Sequence, residues 1–206
     1  MSEVFEGDNF DNRQFIAQDL DLFEISNKYK HLWLFPEYSS LHTSIVLLIR
    51  KGLSYSSSSK ILNKINEAIG NKQISKTNFT MTDKKLKQWG LSSEKIEGIR
   101  KILNLEQVTS NSLCKIKEGG LYLVKLFKII NQEDDDIFLW DDYNVLRNMG
   151  ILFYRNKSLS KQECIFISKN WIGYRSQISY FLYRLRPEGA LKICEDLELN
   201  IDDFWN

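Results

Sequence analysis

The residues of this chain whose types and spacing could do chemistry are two glycines and two aspartates. Between Leu113 and Arg147 the chain reads LCKIKEGGLYLVKLFKII, then a polar, acidic break NQEDDD, then IFLWDDYNVLR. Leu113 and Ile116 close one helical pattern, and after Gly119-Gly120 the residues Leu123, Leu126, Phe127 and Ile130 recur at the spacing of one helical face. Two helices joined by a tight glycine turn make a hairpin. Its exposed backbone N–H groups, with the start of the second helix, can hold a phosphate without reading any base. Further on, the carboxylate pair Asp141-Asp142 opens another apolar pattern. An acid before a helix is most often its N-cap, and taken alone the pair supports that plain reading over acid–base work.

The elements that must position these groups read as helices. Leu22, Phe23 and Ile25 suggest a short helix from Asp19, and Leu32 to Phe35 followed by Pro36 ends that region in a turn. The stretch LHTSIVLLIRKGLSYSSSSKILNKINEAIG holds two helical patterns broken near Lys51-Gly52. In MTDKKLKQWGLSSEKIEGIRKIL, Thr82 is an N-cap, Gly90 a helix stop, and Ser92 or Ser93 caps the next helix. After Asp142 a helix carries Val145, Leu146 and Met149 and is expected to end at Gly150. Polar residues at 155 to 163 mark a loop, and Pro187 opens one more helix.

At 206 residues the chain can bury a sizeable core in one domain or two small lobes. Its 43% hydrophobic and 27% charged composition is that of an ordinary globular protein, and no apolar run reaches the roughly 18 residues of a membrane span. The acidic start MSEVFEGDNF lacks a signal pattern, so an intracellular, cytoplasmic location is expected. Three scattered cysteines, Cys114, Cys164 and Cys194, give neither a disulfide framework nor a metal-binding pair, and an iron–sulfur cluster would need four. The net charge is only +1, but residues 41 to 130 hold 16 basic and six acidic side chains. That local excess suits phosphate binding, although lysines that merely solvate helix faces would give the same count.

The Leu113 to Val124 segment resembles the hairpin of the helix-hairpin-helix DNA glycosylases, roughly L-x-x-I-x-G-I-G-x-x-T-A. Ile137 to Arg147 resembles the segment that follows it there, V-F-P-x-D-D-x-x-x-x-R. Glu118 stands at the first hairpin glycine, Gly119 at the isoleucine, Leu123-Val124 at Thr-Ala, and Leu139 at the proline. Leu48, Ser54 and Ile61 are in step with I-x-x-Q-Q-x-S-x-x-A-A-x-x-I, with Lys51-Gly52 at the glutamines and Ser57-Ser58 at the alanines. Trp171, Tyr174, Arg175, Ser176 and Leu182 match W-x-P-[YW]-R-S-x-A-x-x-x-L-W, where Gly173 replaces the proline. The resemblance runs from about Leu41 to Tyr183 and is nearest the 3-methyladenine, or alkylated-base, branch.

This resemblance implies an all-α fold of two lobes, 38–135 with the hairpin and 1–37 plus 136–206, with a cleft between them. It implies that Asp142 is catalytic and that Lys117, Glu118, Gly119, Gly120, Leu121, Lys51 and Leu53 meet double-stranded DNA. Gly52 has no side chain to insert into the gap left by an extruded base, so Leu53 or Lys51 would fill it, or a residue from elsewhere in the chain. Tyr122, Trp140, Tyr143 and Trp171 would line the base pocket, although each aromatic taken singly is more often core. Breaking an N-glycosidic bond makes the sugar cationic, and a carboxylate about 4 Å away could contribute on the order of 4 kcal/mol at an effective dielectric near 20. Tyr122 stands where strand-cutting relatives carry a lysine, so the expected enzyme is monofunctional and leaves an abasic site. Its expected substrate is an alkylated purine. A bulky hypermodified base of foreign DNA, or a binding module of the same fold without chemistry, are the alternatives. No cofactor is expected, with a monovalent cation at the hairpin left open, and the protein is expected to be a monomer.

Overall fold

A computed structural model of the protein describes residues 35–154, 159–185 and 187–196. The expected helix from Asp19 and the acidic C-terminal residues lie outside that set. Every regular element among the described residues is helical, and they fall into two compact units, Phe35–Ile137 and a second that begins at Phe138.

The first unit contains α1 (Ser40–Arg50), α2 (Tyr55–Ala68), α3 (Asp83–Gln88), α4 (Ser93–Leu103), α5 (Ser110–Leu113) and α6 (Gly120–Ile130). Helix α1 is its centre and packs against α2, α4 and α6, because Ile45, Leu48 and Ile49 are wholly buried. Serine and threonine set the helix starts: Ser39, Ser54, Thr82 and Ser92 each accept an amide of the following first turn, worth about 1 kcal/mol apiece. Ser58, buried where the resembling family has alanine, turns its Oγ back onto the Ser54 and Tyr55 carbonyls. Its hydroxyl is satisfied within its own helix, and its small size lets α2 lie on α1. Helix α5 is only four residues long, so Ile116 lies in the turn after it and not in the helical pattern expected.

The second unit contains α7 (Tyr143–Tyr154), α8 (Lys161–Ser168), a 3₁₀ turn (Lys169–Trp171), α9 (Arg175–Arg184) and α10 (Pro187–Asp196). Helix α7 packs against both α9 and α10. It does not stop at Gly150: Met149, Gly150, Ile151 and Leu152 are all buried, and that burial outweighs the roughly 1 kcal/mol a helical glycine costs. Asn148, wholly buried, donates through Nδ2 to the carbonyls of Leu182 and Leu185, both at 2.8 Å, and so closes the C-terminus of α9. The loop expected through residue 163 ends earlier. Ser160 accepts the Glu163 amide and Glu163 Oε2 accepts the Ser160 amide at 2.6 Å, a capping box that starts α8 at Lys161.

His42 has a structural place in α1. Its Nδ1 accepts the Ile74 amide at 2.9 Å, and burial lowers the pKa of the ring. Protonation would remove that acceptor, and the unfolded chain, with an ordinary histidine near 6.5, binds the proton more readily. Stability from this group is therefore full above that value and declines as pH falls below it. Urea midpoints measured from about pH 7 to about pH 5 should fall more steeply for the native chain than for His42→Asn, which keeps an acceptor that does not titrate. Identical slopes would remove His42 as the cause.

Candidate active site and nucleic-acid interface

In the second unit, Asp142 is 6% exposed although it is an acid. Its Oδ1 accepts the Val145 amide at 3.0 Å and its carbonyl accepts the Leu146 amide at 3.0 Å, so Asp142 itself is the cap of α7. The neighbouring Asp141 is exposed. Two bonds hold the approach to this acid. The Asp142 amide donates to the Leu139 carbonyl at 3.1 Å, and the Leu139 amide donates to Ser179 Oγ of α9 at 3.1 Å. Leu139 is wholly buried, which anchors the turn from the other side.

Aromatic groups flank the same segment. Trp140 is half-buried, with the Lys161 ammonium 3.5 Å from its ring centroid, and Tyr143 is 71% exposed with Arg147 over its ring. Trp171 is buried, its ring centroid 5.9 Å from that of Phe138. Trp140 and Tyr143 flank Asp142 in the chain, Lys161 of α8 meets Trp140, and Trp171 of the 3₁₀ turn meets Phe138. Lys161 was not singled out from the sequence; its capping box was the available signal.

In the first unit, the hairpin is built by close approach. A Cβ on Gly119 would lie 2.3 Å from Leu123 Cδ2, and Gly120 has φ +62°, a conformation that suits glycine. The Gly119 and Gly120 amides turn inward to the Ile116 carbonyl, at 3.1 and 3.4 Å. Leu121, in the first turn of α6, is 76% exposed. Lys117 is exposed and Tyr122 half-buried. Leu53 is half-buried, its amide on the Arg50 carbonyl at 3.0 Å. Lys51 reaches the hairpin: its Nζ donates to the Glu118 carbonyl at 2.7 Å.

No family model matches the sequence, and no curated protein matches it significantly. Among solved structures, 3-methyladenine DNA-glycosylase from Archaeoglobus fulgidus superposes with a TM-score of 0.61 at 18% identity, over 70% of this chain and 57% of that one. DNA-3-methyladenine glycosidase from Bacillus halodurans superposes with a TM-score of 0.57 at 21% identity, over 90% of this chain and 93% of that one. The chain has the helix-hairpin-helix DNA glycosylase fold. It spans little more than half of the archaeal protein and nearly all of the bacterial one.

Two departures from the glycosylase pattern have local causes. Leu139 takes the proline position because its amide is used: Ser179 Oγ accepts it, and proline would have none to give. Glu118 takes the first glycine position because Gly98 of α4 makes room. A Cβ on Gly98 would lie 2.8 Å from Leu48 Cδ2 and 2.9 Å from Glu118 Cβ. The Glu118 carboxylate is buried and accepts Lys101 Nζ at 2.5 Å, a hydrogen bond that holds its pKa below the usual range.

Two ammonium groups stand at or near this hairpin. The Glu118 carbonyl already accepts the Lys51 ammonium, and Lys95 places a second ammonium nearby, donating to the Ile49 carbonyl at 2.6 Å. A monovalent cation about 4 Å from one ammonium would be repelled by about 4 kcal/mol at an effective dielectric near 20.

Replacing Ser179 with alanine would strand the buried Leu139 amide, at a cost of about 1–3 kcal/mol. Chemical denaturation should show that loss, and an unchanged unfolding free energy would mean that Ser179 does not support the turn before Asp142.

Proposed function

We propose that the protein is a monofunctional DNA N-glycosylase that extrudes a modified base, hydrolyses its bond to deoxyribose and leaves an abasic site. The observation that carries the reading is a buried carboxylate, Asp142, at the start of α7, in the position the resemblance assigns to the catalytic acid.

In the reaction, the base leaves with the electron pair of the glycosidic bond and the sugar becomes cationic at C1′. Asp142 stabilises that cation and takes the proton of the water that adds to it. An alkylated purine suits this chemistry, because a base that already carries positive charge leaves readily and stacks on aromatic faces. Trp140 and Tyr143, near Asp142 in the chain, are the aromatic side chains this reading assigns to the base. The hairpin's part is sequence-independent: amides at the start of α6 and the basic side chains around it hold backbone phosphates of double-stranded DNA. With Tyr122 in the place of a lyase lysine, no Schiff base forms and the strand is left uncut.

Asp142→Asn separates chemistry from folding, since asparagine caps a helix about as well as aspartate but carries no charge. On duplexes containing alkylated purines, analysed by alkali cleavage, base release should fall roughly 100-fold or more while DNA affinity and thermal midpoint stay near native. No release by the native chain from any modified duplex would contradict the enzymatic reading, and so would undiminished release by the variant.

A further inference from the structure

Beneath the hairpin lies a fixed positive charge. The Lys51 ammonium, half-buried, donates to the Glu118 carbonyl and would stand 3.8 Å from a Cβ on Gly120, the first residue of α6. Neighbouring charges are engaged around it. Glu118 is paired to Lys101, which also meets Glu97 at 2.8 Å, and Lys95 is committed to the Ile49 carbonyl. The Glu118 carboxylate takes Lys101 on Oε1, whereas Lys51 is bonded to the Glu118 backbone carbonyl.

The opening amides of a helix carry partial positive charge, and an anion in front of α6 would feel Lys51 behind the same amides. We propose that Lys51 is the hairpin's built-in cation: its ammonium supplies, as part of the chain, the charge behind the α6 amides that a bound monovalent ion would otherwise have to supply. Three consequences follow from its position. Phosphate binding at this hairpin does not require an exchangeable ion. The chain's affinity for DNA depends on ionic strength but not on which monovalent cation sets it. Lys51, committed to the Glu118 carbonyl, is not the side chain that enters the gap of a flipped base.

The test compares potassium, sodium and tetramethylammonium chlorides at equal ionic strength, the last being too large to enter a carbonyl site. The full-length chain is titrated with a duplex containing a tetrahydrofuran abasic analogue. The expected dissociation constants agree within about twofold in the three salts. Lys51→Met is expected to bind about tenfold more weakly than the native chain in all of them. Potassium-specific tightening of the native chain by about fivefold or more, or undiminished affinity in Lys51→Met, overturns the assignment. If Lys51→Met does not fold, the salt series on the native chain still decides. The DNA measurements rest on the proposed glycosylase reading; thallium(I) NMR on the DNA-free protein does not. It should reveal no bound ion, and a saturable bound signal that a potassium titration displaces would overturn the assignment by itself. A chain that bound no thallium and no DNA would instead count against the glycosylase reading.

Discussion

The amide of Val145 holds the carboxylate of Asp142, and the second unit is arranged so that this bond survives burial. A carboxylate taken largely out of water is costly unless it is hydrogen-bonded, and the first turn of α7 supplies both a donor and the favourable end of a helix dipole. Everything around it serves the same constraint. Ser179 fixes the turn before the acid, Asn148 closes the helix on which Ser179 lies, and Leu139 seals the turn from below. A cap and a catalytic acid are often treated as competing readings of one residue. In the proposed reaction the two are compatible, because the cap fixes the rotamer of the carboxylate that would meet a short-lived cation.

The hairpin in the first unit solves a related problem with opposite charge. Glycine at 119 and 120 lets the chain turn sharply enough to present the opening amides of α6. A glutamate precedes them where a glycine would be simpler. Gly98 gives it space and Lys101 gives it a partner, so the departure from pattern is absorbed in the helix behind the turn and not in the turn itself.

Local signals were legible in the sequence, and long-range ones were not. Thr82 and Ser92 cap where their types and the following apolar residues say they should, and the break at Lys51-Gly52 separates two helices as its glycine suggests. The Ser160–Glu163 capping box was equally local, but weak apolar periodicity after it hid the helix it starts. Gly150 misled because a glycine stops a helix only when nothing beyond it is buried, and Ile151 and Leu152 are. The partners of Lys51 and Leu139 lie 67 and 40 residues away. No window on the sequence contains both ends of either bond, so these contacts of Lys51 and Ser179 emerge only from the fold.

The most direct measurement of the central claim asks whether Asp142 senses positive charge on the sugar. Duplexes carrying a cationic pyrrolidine abasic analogue and a neutral tetrahydrofuran one differ at that place in charge. The native chain should bind the pyrrolidine duplex at least about tenfold more tightly, equivalent to roughly 1.4 kcal/mol, and Asp142→Asn should bind the two alike. Equal affinities in the native chain, or a preference that persists in the variant, would contradict the account.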